Sequence, residues 1–271
     1  MGRARALDGQ DSQPFLPMPV AVKYDKKARS EHCAMPDPSE PTAREPERRQ
    51  TAVAEVCFFY GAILGIAVLP DFGMQWGALR FDRSLVLTAT LIYLPLIPYA
   101  QGRLSLADLG LGKKGFGASL ALAAVAGLVC FGVFVLIWRL AGGPMLGLPP
   151  FSPDWSRMGA AAWAQKSAAQ FLAVAIPEEW FFRGYLQPRL AFLWPAAWGR
   201  GRARISLAAV LSAAFFALAH AARYHSPLSL NVFFPGLLFA WAREQEGHLA
   251  GPALLHAAAN LLLFSLAAPR G

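Results

Sequence analysis

GASLALAAVAGLVCFGVFVLIWRL, residues 117–140, contains one charged side chain, Arg139, in a run of apolar and small residues. A helix rises 1.5 Å per residue, so about 20 such residues cross the roughly 30 Å hydrocarbon core of a membrane. This stretch therefore predicts a transmembrane helix. Further apolar runs predict an all-α, polytopic integral membrane protein with about seven (six to eight) transmembrane helices. The other predicted spans are at about 53–69, 84–100, 163–189, 205–223, 229–243 and 249–267.

The composition separates the chain into two parts. Apolar residues make up 55% of the 271 residues, more than soluble domains of this size usually contain. Residues 1–50, however, hold 17 of the 42 charged residues and seven of the 21 prolines. Such a segment buries too little apolar surface to offset the entropy lost on folding. We predict a disordered cytoplasmic tail at 1–50 and a transmembrane domain at 51–271.

The net charge of +8 is better explained by orientation in the bilayer than by a nucleic-acid partner. The basic residues lie between apolar runs and lack interleaved stacking aromatics. The run GRGRAR, residues 199–204, predicts a loop on the inner side, which also places the N-terminus in the cytoplasm. The three cysteines lack metal-ligand spacing, so neither a disulfide nor a zinc knuckle is expected. No cofactor is predicted.

The segment IPEEWFFRGYLQ, residues 176–187, places charges inside a predicted span. A central charge costs about 2.5 to 3.5 kcal/mol there, so intramembrane ionisable residues usually have a function. Glu179 and Arg183 are four residues apart and can pair on one helix face. Glu178 points about 100° away from Glu179 and is left without that partner. It is therefore a candidate general base.

Two histidines and an asparagine also lie within predicted spans. His220 ends FFALAH, and His256 and Asn260 are four apart in HAAAN. Hydrolysis of an amide by water needs a base, a proton donor for the leaving amine and donors to the oxyanion. We predict that Glu178 and His220 activate a water molecule. His256 and Asn260 are predicted to donate to the oxyanion.

These motifs resemble a known family in order and spacing. EEWFFR matches EExxxR, FFALAH matches FxxxH through Phe216 and His220, and HAAAN matches HxxxN of the CAAX protease and bacteriocin-processing (CPBP, or Abi) family. The resemblance covers about 170–265. It implies a glutamic intramembrane endopeptidase in which Glu178, His220, His256 and Asn260 are catalytic, with no metal. Glu179, Arg183 and Phe216 match supporting positions.

The resemblance also implies where such an enzyme works. The Ala- and Arg-rich composition is typical of bacteria, so we expect a multi-pass protein of the bacterial inner membrane. EEWFFRGYLQ is similar to the motif of the myxosortase-like bacterial members. The implied partner, besides the lipid bilayer, is the C-terminal transmembrane or lipid-anchored segment of a substrate protein.

Other functions fit parts of the pattern. A zinc-dependent membrane protease is one, because Glu and His side chains also bind zinc, although no HExxH motif is present. A transporter, or a scaffold that binds a partner helix without proteolysis, is another. Transporters more often show internal repeats, whereas these polar residues all lie in the second half of the chain.

Overall fold

The computed structural model of the chain describes residues 44–76, 79–142 and 159–267. Its helices and strands are as follows: α1 (Arg44–Ala67), β1 (Gly73–Trp76), β2 (Leu79–Asp82), α2 (Arg83–Ala100), α3 (Phe116–Ile137), α4 (Ala160–Ala169), α5 (Ile176–Glu179), α6 (Gln187–Leu193), β3 (Ala197–Trp198), β4 (Ile205–Ser206), α7 (Leu207–Tyr224), α8 (Phe233–Glu246) and α9 (Ala250–Ala267). Strands β1 and β2 form one short antiparallel hairpin, and β3 and β4 form another.

The run from α4 to α6 is one continuous helical rod, which we call the composite helix. Two π-helical segments, Gln170–Ala175 and Trp180–Leu186, alternate with its α-helical parts. The residues at each junction keep right-handed helical dihedral angles, so the rod does not break. π-Helical turns are rare and occur frequently at functional sites.

The predicted fold class is confirmed: helices dominate the described chain, and each of the seven predicted spans coincides with a helical run. Four runs are long and apolar enough to cross a membrane, namely Pro46–Ala67, Arg83–Ala100, Phe116–Ala141 and Leu207–Tyr224. The composite helix is not among these four, because its α-helical segments are short and it carries charged residues. Helix α8 has 14 residues, so it is only about 21 Å long.

The first helix starts earlier than predicted. Helix α1 begins at Arg44, so it extends into the segment 1–50 that the sequence predicts to be disordered. Glu and Arg are favourable in helices and can continue an apolar helix beyond the hydrocarbon core. Arg49 Nη2 donates to the carbonyl oxygen of Leu193 at 2.9 Å, which ties this end of α1 to the end of α6. The rest of the predicted tail lies outside the described residues.

An aromatic cluster holds the composite helix against α1 and α7. Phe181 and Tyr185 are fully buried, and Tyr185 packs on Phe59 of α1 with ring centroids 5.3 Å apart. Tyr60 donates its hydroxyl to the carbonyl oxygen of Phe215 on α7 at 2.8 Å. These contacts remove large apolar surfaces from solvent and fix the rotation of the composite helix.

The connection between α2 and α3 packs against the composite helix next to the charged motif. Leu109 is fully buried, and the carbonyl oxygen of Gly110 accepts a hydrogen bond of 3.0 Å from the amide of Leu249, just before α9. A Cβ atom on Gly184 would lie 2.9 Å from the carbonyl oxygen of Leu109. Only glycine permits this close approach, so the residue after Arg183 is fixed by backbone packing.

Candidate active site

The charged motif lies at the junction of two helix types. Glu178 and Glu179 end the four-residue helix α5, and Arg183 lies in the π-helical segment that follows. The predicted pair is present: Arg183 Nη1 donates to Glu179 Oε1 at 2.9 Å, and both side chains are buried. The acid-first order four residues apart allows this contact.

Glu178, which the sequence leaves without a partner, faces two imidazoles. Its Oε2 atom is 3.9 Å from Nε2 of His220 on α7 and 3.6 Å from Nε2 of His256 on α9. That oxygen is buried and accepts no hydrogen bond from the described residues. The three side chains therefore converge on one point inside the helical bundle.

The convergence of the two imidazoles shows that α7 and α9 are offset along the bundle. His220 is 13 residues past Leu207, the first residue of α7, whereas His256 is six residues past Ala250, the first residue of α9. Because both rings reach the same carboxylate oxygen, α7 and α9 do not start level or do not run parallel. The first turn of α9 is attached to α3 through Ser119, whose Oγ accepts the amide hydrogen of Gly251 at 2.9 Å.

A second layer lies behind Glu178. Nδ1 of His256 is 2.8 Å from Oε1 of Glu179, so that one carboxylate oxygen serves both His256 and Arg183. The side chain of His256 is 4% exposed and that of Arg183 is fully buried, whereas Glu178 and His220 are 18% and 20% exposed. The site thus has an accessible face, Glu178 with His220, and a sealed support, Glu179 with Arg183 and His256.

Arg183 is held by a carbonyl and by aromatic rings. Its Nη2 atom donates to the carbonyl oxygen of Gly236 on α8 at 2.8 Å. Its guanidinium carbon lies 4.4 Å from the ring centroid of Phe216 and 5.5 Å from that of Phe239. Cation–π contacts of this kind partly replace the lost hydration of a buried cation.

Phe216, the first residue of the FxxxH motif, packs against the imidazoles of both layers. Its ring is 4.3 Å from that of His220 and meets the ring of His256 edge-on at 5.6 Å. On the opposite side, His256 stacks on Phe239 with a centroid distance of 5.2 Å and an interplanar angle of 16°. The imidazole planes are therefore fixed by packing.

The hydrogen-bond partner of His220 Nδ1 determines which ring nitrogen carries the hydrogen. Nδ1 is 3.0 Å from the carbonyl oxygen of Phe216. A carbonyl only accepts, so Nδ1 carries the hydrogen, and Nε2 of the neutral ring presents a lone pair toward Glu178. His220 is therefore arranged to accept a proton on the side that faces the carboxylate.

Asn260 lies one turn beyond His256. Its Nδ2 atom donates to Oε1 of Gln170 at 3.1 Å, in the first π-helical segment. The contact fixes the amide plane of Asn260. Its second Nδ2 hydrogen can then serve another acceptor.

Three residues of this site are not among those predicted from the sequence: Gln170, Gly236 and Phe239. A detectable signal existed for Gly236, since a glycine inside an apolar helix often marks a close approach of another group. Gln170 is a polar residue within a predicted span, which is also a recognisable signal. Phe239 has no signal that distinguishes it from the other phenylalanines.

We expect Gly236→Ala to lower the predicted peptidase activity about tenfold or more. The new Cβ would lie 3.1 Å from Phe216 Cδ1 and 3.2 Å from Arg183 Nη2, so one of the two side chains must shift. Overpacking of this kind costs about 1 to 3 kcal/mol. Cleavage rate and thermal unfolding of the detergent-solubilised variant would be measured. Gly132→Ala on α3 is the control, because a Cβ there meets nothing within 4 Å, and an equal loss in both variants would contradict the prediction.

Within the described ranges, no group of three or more His, Cys, Asp or Glu side chains is arranged to hold a metal ion.

Fold and site together define a multi-pass membrane protein with carboxylates, imidazoles and a guanidinium clustered inside its helical bundle. Residues 160–262, or 103 of 271, match the family model described as type II CAAX prenyl endopeptidase Rce1-like. The matched segment is therefore similar to the CAAX protease and bacteriocin-processing family, which bears out the resemblance found in the motifs. No curated protein and no solved structure matches the chain significantly.

The family is one of proteases, so the match supports peptidase activity of the CAAX type in general, on a substrate within the lipid bilayer. It does not extend to individual residues. The similarity to myxosortase-like members and the bacterial origin stay predictions.

Proposed function

We propose that the protein is a glutamic intramembrane endopeptidase that hydrolyses a peptide bond near the C-terminal, membrane-associated segment of a substrate protein. Glu178 and His220 activate the attacking water, and His256 and Asn260 donate to the oxyanion. The observation that carries the proposal is the position of Glu178 Oε2, 3.9 Å from His220 Nε2 and 3.6 Å from His256 Nε2.

The gap between Glu178 and His220 suits a water molecule. Both facing atoms are acceptors when Glu178 is ionised and His220 carries its hydrogen on Nδ1. A water that donates one hydrogen to each acceptor bridges atoms about 4 Å apart, given hydrogen bonds of about 2.8 Å. Its oxygen lone pair is then free to attack a carbonyl carbon. One proton passes to the Glu178 and His220 pair and is returned to the amide nitrogen as the C–N bond breaks.

The proposed oxyanion donors place a condition on His256. Because its Nδ1 hydrogen is given to Glu179, Nε2 donates only when both ring nitrogens carry hydrogens. This form adds a second positive charge to a cluster that has two carboxylates and one guanidinium, which makes the cluster neutral. Asn260 supplies the second donor, with its amide oriented by Gln170.

The two layers of the site have separate tasks in this proposal. Glu178 and His220 are partly exposed, so water and substrate reach them. Glu179 and Arg183 are buried and hold His256 in place. Fixed dipoles and charges in a site of low polarity stabilise developing charge more strongly than they do in water.

We assign the protein to the bacterial inner membrane with its N-terminus in the cytoplasm. Arg200, Arg202 and Arg204 lie around the β3–β4 hairpin, and Arg202 pairs with Glu246 at the end of α8. Basic residues concentrated at one end of the bundle favour the inner side for that end. The bacterial assignment follows from the Ala- and Arg-rich composition.

The test is cleavage of candidate substrates with C-terminal membrane segments in proteoliposomes. We expect His220→Asn to lower the rate about 10²-fold or more, because the proton acceptor at Nε2 is lost. His225→Asn is the matched control and should leave the rate within about twofold. His225 lies at the end of α7 with φ of 49°, a left-handed conformation that Asn tolerates well.

Three outcomes discriminate the alternatives. Full activity of His220→Asn would refute the proposed role of His220. Binding of substrates by the wild-type protein without any cleavage would favour the scaffold. Loss of activity with a strong chelator, restored by zinc, would favour the zinc-dependent protease, whereas the proposal expects activity to survive chelation.

A further inference from the structure

Contacts between the composite helix and α9 continue away from the site as a series of pairs, which we call the polar ladder. Its members follow a four-residue spacing on α9, at His256, Asn260 and Phe264. They meet residues of the composite helix in the reverse order. The pairs are Glu179 with His256 at 2.8 Å, Gln170 with Asn260 at 3.1 Å and Lys166 with Phe264 at 4.3 Å.

Lys166 ends this ladder with a cation that has no ion-pair partner among the described residues. Its Nζ atom lies 4.3 Å from the centroid of the Phe264 ring, and the side chain is half-buried. None of the carboxylates in the described ranges forms an ion pair with it. Cations within membrane-embedded helices usually pair with an anion or mark a ligand path. A ring face orients the ammonium while leaving its three donors free for another group.

The ladder also has a definite length. Phe264 is eight residues after His256 on α9, so at 1.5 Å per residue the two lie about 12 Å apart along the helix axis. An extended peptide covers about 3.3 to 3.6 Å per residue. A substrate strand that runs from the site to Lys166 therefore covers about three or four residues.

We propose that Lys166 binds a carboxylate of the substrate, about three or four residues from the bond that is cut. This inference builds on the proposed function and adds a specificity-determining residue to it. The carboxylate is either the free C-terminal α-carboxylate or the side chain of an Asp or Glu. Lys166 thereby selects substrates whose charge lies at the correct distance from Glu178.

The test uses binding in detergent micelles, with Glu178→Gln as the background so that no peptide is consumed. The probes are Leu- and Ala-rich transmembrane peptides of about 20 residues with a Gly-Ser-Gly-Ser tail. One version ends in a free acid, a second in a carboxamide, and a third in a carboxamide with Asp as the last residue. We expect one carboxylate version, or both, to bind about tenfold more tightly than the plain carboxamide.

Adding Lys166→Met should remove that preference while leaving the affinity for the plain carboxamide unchanged. Met keeps the unbranched side chain and can still pack on Phe264, but it lacks the charge. Lys113→Met, three residues before the start of α3, is the control and should keep the preference. The free-acid and Asp versions identify the source of the carboxylate.

Equal affinities for all three peptides, or a preference that survives Lys166→Met, would overturn the inference. Equal weakening of all three peptides by Lys166→Met would also overturn it, because that result indicates a structural role. Cleavage by the wild-type protein is measured separately. Its failure would refute the proposed endopeptidase and leave the binding comparison as an independent result.

Discussion

Glu178→Gln is expected to lower the rate of peptide hydrolysis by about 10² to 10⁴-fold, the range over which a positioned general base contributes. Gln has nearly the shape of Glu but cannot accept the proton of the attacking water. Oε2 of Glu178 is the atom on which both imidazoles converge, so its replacement removes the centre of the arrangement. Single-turnover cleavage in proteoliposomes measures the effect without interference from product release.

A change in rate is informative only if the variant folds. The substitution removes a charge that has no arginine or lysine partner within ion-pair distance in the described chain, so we expect thermal unfolding to remain close to that of the wild type. Glu246→Gln is the matched control, since it removes a carboxylate that pairs with the exposed Arg202. It should leave cleavage within about twofold. Cleavage by Glu178→Gln at the wild-type rate would remove Glu178 from the mechanism.

Apolar runs predict the seven helical runs because a membrane imposes one length and one composition on each of them. Spacing of four residues also predicts which polar groups share a helix face, as with Glu179 and Arg183. Both are local properties of the chain. They need no knowledge of how the helices are arranged.

The meeting of His220 and His256 at one oxygen could not be predicted in this way. If α7 and α9 started at the same depth in the membrane, the two rings would lie at different depths. The offset between the helices depends on contacts between distant parts of the chain, such as the hydrogen bond between Ser119 and Gly251. The π-helical segments on both sides of α5 likewise have no simple sequence pattern. They change which face of the composite helix each residue occupies.

The partners of Arg183 show the same limit. The sequence predicts its pairing with Glu179 but not its hydrogen bond to the carbonyl oxygen of Gly236, because a backbone acceptor leaves no trace in residue type. Lys166 shows the opposite case. As an isolated residue it is expected to extend toward the membrane surface, and only its position at the end of the polar ladder gives it a functional interpretation.

Arg183→Met is expected to destabilise the protein by about 3 to 5 kcal/mol, the usual cost of leaving one member of a buried ion pair without its partner. The side chains of Glu179 and Arg183 are 1% and 0% exposed, so solvent cannot compensate for the lost charge. The carbonyl oxygen of Gly236 loses its donor as well. Thermal unfolding in detergent should shift downward on the order of 10 °C.

The double variant Glu179→Gln/Arg183→Met separates charge from packing. It removes both members of the pair, so it should be more stable than Arg183→Met alone even though it carries one more substitution. Arg202→Met is the control, because its pair with Glu246 is 69% exposed on the arginine side and should contribute about 0 to 1 kcal/mol. An Arg183→Met protein that unfolds at the wild-type temperature would show that the buried pair does not stabilise the site. Recovery of stability in the double variant without recovery of cleavage would instead show that the pair is needed for the reaction beyond its contribution to stability, because Glu179 Oε1 contacts both Arg183 and His256.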